Sequence, residues 1–526
     1  MSLSPGTQTA PRYGVFETSF EAAADHANPP ADTEAVAVIT RPDGRQWRIG
    51  LFWDGGRTWR FRVSPDIEGP WSYQVQSADS GLAAGKGTFS CVSSKLHGAL
   101  QPMEGFPHHF QYQDGAPVWF YGDTCWRLFC SHDQKKLNRQ TIQRYIDRRA
   151  AQGYNYIHAD MLGYVAKPSA VNEGGSAFLD AGQEEINPAY FQEADERLRY
   201  LNSKGIACGL IYAWGQGSVS WATFASDEAR LRYARYMTAR YAAFNTVLIA
   251  SGEWGFMKDR KDLFRQLGTE IARCDPHGRM VTIHPGPWDG SNNELAAEPW
   301  MCFGEYLQAY RVKDQQVESS PQERDALRQY VLDFRKNGKP VVNAEYGYYL
   351  RDQDLDGKVD KQHSQTRESF RQATWMMPMA GAYFVTGFGT TYFGGHRDTG
   401  IFNPDAEQNL PAEADLQNVR TFFNALKWWQ FEPVEGLARA DGIDDKPAYA
   451  YCLRAGGPSG THIVYVHQAR GATLRPAAAG PGGWSVRRYD PRTGQYAQQG
   501  PVAGGAIELS PPDAQDWVFI VEPAGK

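Results

Sequence analysis

The sequence predicts an α/β protein, a (β/α)8 TIM barrel flanked by N-terminal and C-terminal β-sandwich domains. Three observations predict it. Between about Ala116 and Phe431, short apolar runs alternate with amphipathic helical stretches. The strand-like runs in that region number eight, which is the count such a barrel needs. On either side the pattern switches to short alternating strands punctuated by Gly, Pro and Asp. A chain of 526 residues is too long for one hydrophobic core. The expected division is a sandwich over 1–100, a catalytic barrel over 101–434 and a second sandwich over 435–526.

In chain order, Ala35-Val-Ala-Val-Ile-Thr40 and Thr58-Trp-Arg-Phe-Arg-Val63 alternate as half-buried strands, with turns at Pro42-Asp-Gly44 and Asp54-Gly-Gly56. The barrel strands are expected at Val118–Gly122, Tyr154–His158, Ala207–Tyr212, Val247–Ala250, Met280–His284, Met301–Gly304, Val341–Ala344 and Ala382–Thr386. Asn187, Pro188 and Gly205 mark the cap, first turn and end of one intervening helix, whose face is Phe191, Ala194, Leu198 and Leu201. Ile142, Tyr145, Ile146 and Ala150 repeat that spacing, and Ser320-Pro321 opens a helix closing at Gly338. The tail returns to strands, as in His462-Ile-Val-Tyr-Val466 and Trp517-Val-Phe-Ile-Val521. Trp428-Trp429 suits a junction contact.

Composition excludes some functions. With 54 basic and 60 acidic residues the net charge is −6 and no basic run occurs, so no nucleic-acid partner is expected. The seven cysteines are scattered, with neither zinc spacing nor a dense disulfide framework, as reduced thiols would be. The start Met-Ser-Leu-Ser-Pro-Gly has no apolar signal region. As given the chain reads as cytoplasmic, or as periplasmic or secreted if the native start was trimmed. The longest uncharged stretch, Trp375–Gly395, is broken by Pro378 and five glycines, so no membrane span is expected. Aromatic residues reach 13%. Large cores account for most of that, and the rest suits stacking against the apolar faces of sugars.

Glu253 and Glu345 each follow an apolar run, Thr246–Ala250 and Val341–Ala344. Carboxylates at the C-terminal tips of barrel strands face the common mouth. Two of them suit glycosidic bond cleavage, with retention at a separation of about 5–5.5 Å and inversion at about 6.5–9.5 Å. Trp254, next in sequence to Glu253, is expected to raise that carboxyl's pKa by desolvation. The other strand ends supply polar and aromatic groups expected to bind the substrate: Asp123, Trp126, His158, Asp160, Trp214, His284, Glu305 and Tyr306, with Trp288 beyond the fifth strand. Glu305 is the rival acid. Asp352, Asp354, Asp356 and Asp360 occupy positions one, three, five and nine of a calcium loop, with Gly357 at six. His363 stands where a bidentate Glu completes such a loop, which leaves a solvated acidic loop as the alternative to a structural calcium. No cofactor is expected for catalysis, and no His-x-His or His-Glu-x-x-His spacing points to a catalytic metal.

Gly122-Asp-Thr-Cys-Trp126, Tyr145-Ile-Asp-Arg-Arg-Ala-Ala-Gln-Gly-Tyr-Asn155, Gly252-Glu253-Trp254 and Asn343-Ala-Glu345-Tyr346 resemble the apiosidase-like glycoside hydrolase barrels. The flanks resemble that family's N-terminal sandwich and its C-terminal domain of collagen-binding type. The resemblance implies kinship with clan A retaining glycosidases, with Glu253 as acid/base and Glu345 as nucleophile. Those enzymes usually place Asn before the acid/base, where it binds the sugar 2-hydroxyl, whereas this chain has Gly252. The expectation is a glycosidase acting on a poly- or oligosaccharide. The alternative is a carbohydrate-binding or adhesion protein on a degenerate barrel, which would not need to keep the glutamate pair.

Overall fold

The computed structural model describes residues 8–130, 137–163, 170–217, 219–286, 294–307, 321–345, 348–350, 366–391, 402–443, 448–478 and 482–524. Its centre is a sheet of eight parallel strands: β1 Tyr121–Thr124, β2 Tyr156–Asp160, β3 Ala207–Ile211, β4 Thr246–Ile249, β5 Val281–Thr282, β6 Gly304–Leu307, β7 Val341–Glu345 and β8 Tyr383–Thr386. They neighbour one another in the order β5-β4-β3-β2-β1-β8-β7-β6, so chain order runs around a nearly closed barrel. At the seam Val281 bridges Met301, the Cys302 amide donates to the Val281 carbonyl at 2.9 Å, and Thr282 Oγ1 donates to the Phe303 carbonyl at 2.9 Å. The sequence-expected sixth strand, Met301–Gly304, is thus the lead-in at the seam, and regular pairing with β7 starts only at Gly304.

Seven helices of the described residues cover the barrel: α1 Arg139–Ala151, α2 Pro188–Ser203, α3 Asp227–Tyr241, α4 Lys261–Cys274, α5 Pro321–Arg335, α6 Arg367–Met379 and α7 Leu410–Asn424. Their starts follow local chemistry. The side chains of Asn138, Asn187, Ser226 and Thr366 accept from backbone amides in the first turns of α1, α2, α3 and α6, where no intrahelical acceptor exists. Pro188 fills the first position of α2, and Gly205 takes φ +75° just past its end. No helix among the described residues is long and apolar enough to cross a membrane.

The first strand is displaced from its expected place. Pro117–Val118 pairs antiparallel with Phe106–Tyr112, which also pairs with Leu100–Met103. This small sheet lies under the N-terminal ends of the strands. Phe110 plugs the floor, 5.1 Å from Phe120, 5.6 Å from Phe303 and 5.3 Å from Tyr383 between ring centres. At the floor Trp119 stacks on Phe423 of α7 at 4.4 Å, and Trp428 meets Trp119 edge-on at 5.8 Å.

The N-terminal region is a five-stranded sheet, in the order Gln8–Pro11, Lys86–Val92, Gly69–Ser77, Ala35–Thr40, Gln46–Gly50, facing a three-stranded one. Phe16, Phe61, Trp71 and Phe89 fill the space between. It is tied to the barrel by charge. Arg62 and Arg240 of α3 both pair with Asp195 of α2, Arg240 also reaches Asp54 at 2.9 Å, and Phe52 lies beneath both guanidiniums. All of these groups are buried except Asp54, which is nearly so. The C-terminal region pairs a six-stranded with a three-stranded sheet. Trp375 of α6 stacks parallel to Tyr465 at 5.8 Å, and Arg371 of α6 forms a two-pronged ion pair with Asp516.

Candidate functional site

Glu253 lies four residues past β4 and caps the 3-10 turn Trp254–Arg260. Its backbone is left-handed, with φ 35° and ψ 51°. A side chain in that region costs about 1–2 kcal/mol, a strain that surrounding structure must enforce. The enforcement is visible. The β3–β4 pairing continues past both strand ends, with the Gly252 amide donating to Ala213 at 3.0 Å and the Gly215 amide to Gly252 at 2.7 Å. That extension brings Trp214 alongside Gly252, and Trp214 Nε1 donates to Glu253 Oε2 at 2.7 Å. The indole beside the carboxylate is therefore Trp214. Trp254, its sequence neighbour, turns outward and packs 5.7 Å from Phe264 of α4.

Glu345 reaches the mouth through a β-bulge. Tyr306 pairs with Asn343, but Leu307 pairs with Glu345, so Ala344 is an extra residue in β7. Asn343 and Tyr306 both point outward, to Met377 of α6. Strict alternation would send Glu345 the same way as Asn343, and the bulge re-aims it. Glu345 Oε1 accepts from Tyr348 Oη at 2.6 Å, while Oε2 lies 3.6 Å from His284 Nε2. Its side chain remains 18% exposed, open enough to meet a ligand.

Behind the glutamates lies a buried cluster. His284 Nδ1 is 3.0 Å from Glu305 Oε2, so the imidazole stands between Glu305 and Glu345. Burial alone would push this imidazole's pKa down. Its contacts with Glu305 and Glu345 more than offset that and raise it to about 9. Burial raises the Glu305 carboxyl, and His284 works against that rise. The raised value favours the protonated imidazole, which stands between Glu305 and Glu345. His158, fully buried, lies 5.3 Å from His284 edge-on, and burial followed by repulsion from His284 holds it well below the ordinary histidine range. Trp126 is 5.1 Å from His158, 5.1 Å from Trp214 and 5.7 Å from His284, and its Nε1 donates to Tyr348 Oη at 2.8 Å.

The structure thus brings together Glu253, Glu345, Trp126, His158, Trp214, His284 and Glu305. It sets Asp123 and Tyr306 apart. Asp123 faces α1, where Tyr145 Oη donates to it at 2.8 Å and Arg149 forms a buried ion pair with it. Asp160, buried at the end of β2, accepts from the Leu162 amide at 3.2 Å and shapes the turn beyond the strand. Trp288 and the aspartates of the acidic loop, Asp352, Asp354, Asp356 and Asp360, lie outside the described residues. His158, His284 and Glu305 each offer a ligand atom within 4.8 Å of the others. A cation there would have to replace the hydrogen bond between His284 and Glu305. The sequence reading missed Tyr348, which fits only because Gly387 has no side chain: a Cβ there would sit 2.2 Å from the tyrosine ring. The available signal was an aromatic hydroxyl three residues past a strand-end carboxylate.

Residues 107–430 match the family model described as "Apiosidase-like, catalytic domain", and residues 9–78 match one described as a domain of unknown function, DUF5060. No curated protein matches the chain. Among solved structures the chain is similar to a protein of Bacteroides vulgatus ATCC 8482 provisionally described as a glycoside hydrolase. The TM-score is 0.74 at 17% identity, over 98% of this chain and 100% of that one. It is also similar to a glycoside hydrolase family 5 protein of the same organism, at TM-score 0.67 and 17% identity, over 82% of this chain and 94% of that one. At these identities the likeness establishes a shared fold, that of glycoside hydrolase barrels with β-rich flanks.

Proposed function

The chain belongs to the apiosidase-like catalytic domain family, and on that premise we propose that it hydrolyses a glycosidic bond of an oligo- or polysaccharide with retention of configuration. Glu253 protonates the leaving oxygen while Glu345 attacks the anomeric carbon, which forms a glycosyl-enzyme. Water then attacks that carbon, Glu253 takes the water's proton, and the bond to Glu345 breaks. The observation that carries this reading is the setting of Glu345. It is a carboxylate on a partly exposed side chain, held by a tyrosine hydroxyl at 2.6 Å and facing a buried histidine at 3.6 Å, on the aromatic cluster that also holds Glu253. The His284 imidazolium places positive charge beside the oxygen that must leave in the second step.

The test is a panel of aryl and natural glycosides. Glu345→Ala should cut turnover by about four orders of magnitude or more with the fold intact. Glu253→Ala should keep activity on activated aryl glycosides, and azide should restore it further. The first-formed sugar should show the substrate's anomeric configuration by proton NMR, and the two carboxyl groups should lie about 5–5.5 Å apart in a ligand-bound crystal. Carbohydrate binding by calorimetry with no turnover over days would replace this reading with that of a binding protein.

A further inference from the structure

Trp214 does two things at once to the residue pair Gly252–Glu253. Its ring lies against Gly252 so closely that a Cβ at position 252 would stand 2.1 Å from Cε3 and 2.5 Å from Cδ2 and Cζ3. Its indole N–H donates to Glu253 Oε2 at 2.7 Å. The first contact forbids any side chain before the glutamate. The second has a chemical consequence, because an indole nitrogen donates and has no lone pair with which to accept. A carboxylic O–H cannot point at it, and since a hydroxyl oxygen is a weaker acceptor than a carbonyl oxygen, the indole N–H favours the proton on Oε1. Resting on the reading of Glu253 as acid/base, we propose that Trp214 is the positioning residue of that acid: it keeps the proton off Oε2, so that Glu253 delivers it from Oε1. The indole also favours the ionised carboxyl, which readies Glu253 to act as base in the second step.

Three fixed elements make this arrangement rigid. Trp214 is 2% exposed and held edge-on to Trp126 at 5.1 Å and near His284 at 5.6 Å. The continued β3–β4 ladder fixes its backbone against that of Gly252. The left-handed conformation of Glu253 directs its side chain back along that ladder toward the indole.

Trp214→Phe keeps a ring and removes the N–H. With one charge-assisted hydrogen bond lost, the Glu253 carboxyl should titrate about one pH unit higher. A 13C-detected titration of labelled protein, assigned with Glu253→Gln, reads this without turnover, so it stands even if the glycosidase reading fails. In kinetics, kcat on a poor alkyl leaving group should fall about ten- to a hundredfold with KM nearly unchanged. A dinitrophenyl leaving group, which needs no acid, should lose less than about threefold in glycosylation. An unshifted Glu253 titration in folded Trp214→Phe overturns the proposal, as does an equal loss on both leaving groups. Should Trp214→Phe fail to fold, Gly252→Ala offers a second route. It should displace the indole and raise the Glu253 titration similarly, and Trp214→Ala should make Gly252→Ala harmless to thermal stability. An unshifted titration in folded Gly252→Ala also overturns the proposal.

Discussion

Glu253 pays for its direction in backbone strain, and that strain has a measurable sign. Glu253→Ala and Glu253→Gly both remove the acceptor for Trp214, so they differ only in tolerance of φ 35°. The glycine variant should be the more stable of the two by about 1 kcal/mol in denaturant unfolding, the reverse of the usual order in regular structure. His284 allows a second test. Its imidazole should titrate near pH 9 by NMR, and Glu305→Gln should bring the midpoint down, because one of the two opposing charges is gone while burial remains. Since its folded pKa is raised, the stability it contributes is complete below the unfolded value of about 6.5 and is lost as pH rises through about 9. At this scale the sequence showed the strand-end residues and little of their orientation. Glu305 and His284 were legible as mouth groups, but their hydrogen bond depends on which face of β6 turns inward. Asp123 shares the same strand-end signature and faces the opposite way, to Arg149.

The bulge in β7 decides where Glu345 points, and it is one residue long. Inserting one alanine between Tyr306 and Leu307 in β6 should give Ala344 a partner, restore strict alternation and turn Glu345 toward α6. The expected result is a folded protein with a native far-ultraviolet circular dichroism spectrum and turnover reduced to the level of Glu345→Ala. Retained activity would mean that the rim sets the carboxylate's direction instead. Helices were the most legible elements, because their ends are written in local chemistry: Asn187, Pro188 and Gly205 bound α2 within a residue. Strands were legible as apolar runs but not in register. Pro117–Val118 continues into Trp119-Phe120-Tyr121 as one apolar run. Only the floor hairpin reveals that its first part pairs antiparallel and its last part enters the barrel. A bulge leaves no mark in composition, so Tyr348 could not be aligned with Glu345 from spacing alone.

Across the whole molecule the switch from alternating strands to strand–helix units and back was readable. The contacts that join those regions were not, since Arg62, Asp195 and Arg240 come from three distant segments. Burial alone would push the Asp195 carboxyl up, but the Arg240 and Arg62 guanidiniums hold it at about 2. With a depressed folded pKa, its contribution is present above the unfolded value of about 4 and is lost as pH falls through about 2. Asp195→Ala leaves two buried guanidiniums facing each other and should cost about 3–5 kcal/mol in unfolding free energy. An equally large loss should follow from Arg62→Ala, whose site lies in the N-terminal region, if the network binds that region to the barrel. The plug at Phe110 and the Arg62 arm of the clasp together mean that the eight strands are completed by residues that precede them. A gene fragment beginning at β1 would therefore encode an open-bottomed shell with the Asp195–Arg240 pair uncovered on its flank. Recombination between relatives should have kept the first hundred residues and the barrel together as one heritable unit, however readily the surface loops were exchanged.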